Sequence, residues 1–94
     1  MDQSNLKITV ATGEPNLLIK AIKDKIDNNL VKTWDYDEDK FYHVGDQYRD
    51  HVYFTHTFDE KKGIVIFKLQ SDGDSFSERK VPQLFINMLD THFS

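Results

Sequence analysis

The stretch WDYDEDKFYH, Trp34 to His43, crowds acids, aromatic rings and a histidine into ten residues. Asp35-x-Asp37-x-Asp39, with Asp46 eleven residues after Asp35, has the carboxylate spacing of a calcium-binding EF-hand loop. That loop needs glycine at its sixth position for the sharp turn, and Lys40 stands there instead. The twelfth position, normally a bidentate Glu, is Asp46, and a strand rather than a helix precedes the motif. The spacing reads as a solvated acidic turn. No cofactor is expected.

The histidines carry a weaker signal. His51 and His56 lie five apart on one expected strand, and an odd separation points them to opposite faces. A zinc or iron site needs three convergent ligands, and only two can be placed at once. Hydrolytic chemistry has no anchor either. The chain has no G-x-S-x-G elbow, no phosphate-cradling glycine loop and no H-E-x-x-H helix. The enzymatic alternative is a metal-dependent hydrolase built from His43, His51 and carboxylates of the turn.

A binding face fits the same residues better. Between Val31 and Glu60 there are eight acids and three bases, a local net of −5 against −4 for the whole chain. Aromatic rings fall in the same stretch, and anchors ringed by one sign of charge suit a basic protein partner. The expected partner-binding residues are Asp35, Asp37, Glu38, Asp39, Tyr42 and Tyr48. Trp34 and Tyr36 share a strand face and stand between core and interface.

Composition narrows the function classes. Ninety-four residues make a single domain, 1–94, of a kind common in bacteria. The aromatic fraction of 13% means that a few rings supply much of the core. Net acidity argues against direct nucleic-acid binding, which rests on clustered Lys and Arg. From Pro15 the expected order α-β-β-β-α is that of double-stranded RNA-binding domains. Those domains grip phosphates through a lysine cluster opening the last helix, where this chain has only Arg79-Lys80 beside Glu78. No cysteine is present, so disulfides, thiolate catalysis and Cys-based zinc sites are excluded. MDQSNLKITV has an acid where a signal peptide carries bases, and no apolar run is long enough to span a bilayer. A cytoplasmic protein without membrane contact is expected. Its partner is a protein, and a homodimer stays open.

The elements that must position these residues follow from periodicity. Leu6, Ile8 and Val10 alternate with polar or small neighbours as a first strand. Pro15 opens a helix to Asn28, with Leu18, Ile22 and Ile26 at four-residue spacing. Val31 to Tyr36 is the second strand, the acidic turn follows, and Gly45 to Asp50 is loop. HVYFTHTFDEKKGIVIFKLQ is a hairpin turning at Glu60-Lys61-Lys62-Gly63. Its register pairs Phe58 with Val65, His56 with Phe67 and Phe54 with Leu69, gathering Val52, Phe54, Phe58, Val65, Phe67 and Leu69 on one face. Ser75 and Glu78 fit a capping box. Pro82 inside a helix costs about 3 kcal/mol, so the last helix is expected to start near Val81. The fold class is α+β: a β-α-β-β-β-α two-layer sandwich, mostly antiparallel, with both helices on one face.

Overall fold

The computed structural model describes residues 6–93. Five strands and two helices follow in the order β1 (Lys7–Ala11), α1 (Pro15–Asp27), β2 (Trp34–Asp37), β3 (Lys40–His43), β4 (Val52–Asp59), β5 (Ile64–Ser71) and α2 (Ser75–Phe93). The strands form one sheet in the order β1-β5-β4-β3-β2, every neighbouring pair antiparallel. Helix α1 therefore carries the chain from one edge of the sheet to the other, and β2 to β5 walk back beneath it. The class is α+β, as periodicity implied.

Register decides the core. It places Ile8, Val10, Val65, Phe67, Leu69, Val52, Phe54, Phe41 and Trp34 on one side of the sheet, because side chains alternate along each strand. The helices cover that side. Phe85 of α2 packs its ring 4.6 Å from Phe54, 4.8 Å from Phe67 and 5.0 Å from Trp34. Ile19 and Ile22 of α1, with Val81 and Met88 of α2, complete the core. The opposite side carries Thr9, Lys68, Thr55, Lys40, Tyr42 and Asp35 and has no second layer among the described residues.

The β4–β5 hairpin keeps the expected register, with Phe58 opposite Val65 and His56 opposite Phe67. Gly63 is required twice over. Its φ is +65°, and a Cβ there would lie 3.1 Å from the Cα of Gly13. Helix α1 ends at Asp27, one residue before the expected boundary.

Several expectations are corrected. The second strand is Trp34–Asp37 rather than Val31 to Tyr36, and the acidic turn is itself a hairpin. Asp37 pairs with Lys40 across a tip of Glu38-Asp39, which adds a strand to the count. Alternating aromatic and charged residues on both sides of two acids are what a short hairpin requires, and charge density masked that pattern. Phe58 shares the apolar face by register yet is 44% exposed, because it lies toward the end of β4.

The last helix starts at Ser75, not Val81, and runs through Pro82. Its cap is Asp74, whose Oδ2 accepts from the Ser77 N–H at 3.0 Å and from the Ser77 hydroxyl at 2.7 Å. The expected Ser75–Glu78 box does not form. Glu78 instead accepts from the Ser71 hydroxyl at 2.6 Å. Pro82 is buried, as is its neighbour Val81, so packing there outweighs the missing backbone hydrogen bond. Among the described residues no helix is long and apolar enough to cross a membrane.

Candidate functional site

The β2–β3 hairpin sorts the expected site residues by parity. Asp35 and Asp37 point to the open side of the sheet, where Asp35 faces Tyr42 and Asp37 faces Lys40. Cations lie over the rings there: Arg49 is 5.6 Å from the Tyr42 centroid and Lys40 is 5.0 Å from that of Tyr53. Glu38 and Asp39 form the exposed tip, with Glu38 held at φ +57°.

Tyr48 does not join them. It is 5% exposed, edge-on to His43 at 5.1 Å and stacked on Phe76 at 6.0 Å, so it is a core ring rather than a surface anchor. Trp34, at 2% exposed, is core as well.

The fold adds residues from α1 that the linear count of acids left out. Tyr36 points to the helix side, and its hydroxyl donates to Asp27, 3.0 Å from Oδ1 and 3.1 Å from Oδ2. That hydrogen bond raises the phenol's pKa, with burial and then the charges of Asp27, Asp35 and Asp24 pushing the same way. Asp24 and Asp27 lie three apart, so α1 presents them on one face. Lys23 sits over the Tyr36 ring at 5.1 Å, and Lys20 pairs with Asp24 at 3.2 Å in solvent. Together Ile19, Asp24, Asp27, Tyr36, Asp39 and Phe58, with Lys20 and Lys23, line a cleft of about 470 Å³ between α1 and the hairpin tip. Acids spaced along a helix and a strand read from sequence as separate solvated faces. Only Asp24 and Asp27 at i, i+3 hinted at the convergence.

His56 forms part of the cleft wall. Its Nδ1 is buried with no hydrogen-bond partner among the described residues, and burial holds its pKa below the ordinary histidine value. The two histidines of the hydrolase alternative have separate local partners. His43 Nδ1 accepts from the Gly45 N–H at 3.0 Å, and burial lowers its pKa. A Cβ at position 45 would lie 3.1 Å from that ring, so a side chain there requires the His43 ring to shift. His51 Nδ1 lies 2.7 Å from Asp72 Oδ2, away from the acidic hairpin. His43 and His92 line one cavity of about 280 Å³ beside Trp34 and Met88. Among the described residues no group of three or more His, Asp or Glu side chains converges as a metal site.

Comparison of the chain with protein-family models, with curated proteins and with solved structures finds no match.

Proposed function

We propose that this chain is a small non-enzymatic interaction domain of the cytoplasm that binds a basic protein through the cleft beside Tyr36. Its most concrete version is an inhibitor or immunity-type protein capping a basic, nucleic-acid-handling partner. One observation carries the reading: Asp24 and Asp27 of α1 and Asp39 of the hairpin line a cleft walled by Tyr36 and Phe58, with Lys20 and Lys23 in the same lining. An arginine or lysine of the partner entering there finds aromatic faces for its stem and carboxylates for its head. Lys23 already occupies the ring of Tyr36 in this way, so the incoming cation takes over a contact that the site supports. The exposed Phe58 gives the partner an apolar surface to cover.

The test is capture from the native host, with the wild type against an Asp24→Asn, Asp27→Asn, Asp39→Asn variant whose fold is checked by circular dichroism. A partner rich in Lys and Arg at its contact surface is expected. Its association rate should fall for the variant, and the deficit should shrink with salt, because steering is screened over about 8–10 Å. Equal association rates at low ionic strength would overturn the proposal.

A further inference from the structure

The two edges of the sheet are finished differently. In β2 the Thr33 carbonyl accepts from the Val44 N–H at 2.9 Å, so the alternate residues Trp34 and Tyr36 direct their backbone groups outward. The Tyr36 N–H is already taken by Asp35 Oδ1 at 2.7 Å, and Asp35 and Asp37 charge that edge. Such an edge repels a further strand.

The β1 edge carries a single charge, Lys7, and its outward backbone groups are not taken up among the described residues. The Leu6 carbonyl accepts from the Leu69 N–H at 3.1 Å, and the Thr12 N–H donates to Gly63 at 2.8 Å. Even-numbered residues thus face β5, while Lys7, Thr9 and Ala11 turn their N–H and C=O groups outward. No hydrogen bond reaches those groups among the described residues. Beside them runs a groove of about 340 Å³ whose apolar lining is Ile8, Val10, Leu18, Ile86, Leu89 and Phe93. Ile86 is 39% exposed and Leu6, at the head of the strand, 38%.

We infer that β1 is a pairing edge at which two copies of this chain join their sheets, antiparallel and two-fold symmetric about Thr9. The occupant follows from the sequence of the strand. That register sets Thr9 against Thr9 of the second copy and Lys7 against Ala11, so the only charge on the strand does not meet itself. On the helix-covered side it sets Ile8 beside Val10, joining the two cores across the axis. Moving the axis to Lys7 opposes two lysines, and moving it to Ile8 shortens the paired segment. The strand pair alone is small against the roughly 1,200 Å² that a specific interface buries. The groove lies along the same edge, so the symmetric arrangement adds its apolar residues Ile86 and Phe93, with Asp90 beside them, to the surface covered. The acidic hairpins stand at the far edges and stay open, so this inference is independent of the partner-binding proposal.

Sedimentation equilibrium of the whole chain from micromolar to near-millimolar concentration tests it. The mass should rise from 11.1 kDa toward twice that value. In the dimer the amides of Lys7, Thr9 and Ala11 should gain hydrogen-exchange protection that dilution removes. Thr9→Pro deletes an outward N–H without touching the β5 ladder, and should sediment as a folded monomer. Ile86→Lys, on an exposed helix position, should do the same and decides the matter if the proline variant does not fold. A mass of one chain at every concentration, or a dimer persisting in the folded variant, would overturn the inference.

Discussion

His51 and Asp72 tie the start of β4 to the turn before α2, and each shifts the other's titration. The hydrogen bond to Asp72 raises the His51 pKa from its ordinary 6.5. The same bond lowers Asp72 from 3.8. The histidine's contribution is full below 6.5 and fades as pH rises through its raised folded value. The carboxylate's contribution is full above 3.8 and fades as pH falls through its depressed one. The pair therefore acts mainly between those two pH values, and its exposure keeps the effect on stability small. His43 and His56 shift the opposite way, because burial disfavours their charged forms. Residue-resolved NMR titration should show His51 above and both others below the ordinary midpoint. Asp72→Asn should return His51 alone toward it. A His51 midpoint indifferent to that substitution would mean the contact is not formed in solution.

At the level of elements, α2 shows how a local rule is overridden. A capping carboxylate at Asp74 starts the helix a full two turns before Pro82, and the buried Ser77 hydroxyl donates to that carboxylate at 2.7 Å, with the Gln47 carbonyl a longer alternative acceptor at 3.3 Å. Asp74→Ala should cost about 1 kcal/mol, with more if Ser77 is left unpaired. Ser75→Ala should cost almost nothing, since Ser75 is exposed and caps nothing. Urea melts of the two variants separate these assignments, and equal losses would return the cap to Ser75. The β2–β3 hairpin makes the complementary point. Glu38 turns the chain at a positive φ that suits Gly or Asn better, so the tip holds local backbone strain next to Asp39, the tip acid that lines the cleft.

Across the whole molecule one aromatic cluster holds sheet and helices together. Phe67 is fully buried, opposite Ile8 and His56, with its ring 4.8 Å from Phe85 and 6.3 Å from Phe41. Three other strands and α2 thus meet at one side chain. Phe67→Ala should cost about 3–5 kcal/mol, out of about 5–15 kcal/mol for the fold. Because the cluster is shared, the urea transition should move as a unit, with fluorescence of the buried Trp34 and far-ultraviolet circular dichroism still coincident. A loss below about 1 kcal/mol would place Phe67 outside the core.

Much of this was already present in the linear chain. Alternation along Val52 to Leu69 and a glycine where a positive φ was needed were enough to set the central hairpin and its register. Four-residue spacing from Leu18 to Ile26 was enough for α1. These are local rules, carried by neighbours within a turn or a strand pair. What required the tertiary structure was anything set by burial or by elements distant in sequence. Packing decided that Tyr48 and Trp34 are core, and a buried environment made Pro82 tolerable inside α2. The crossing of α1 brought Asp24 and Asp27 to Tyr36, and the sheet order left β1 and β2 as edges of opposite character. Sequence fixes which residues face the same way along one element. Which faces meet depends on how the chain crosses itself, and the candidate site and the pairing edge are both products of that crossing.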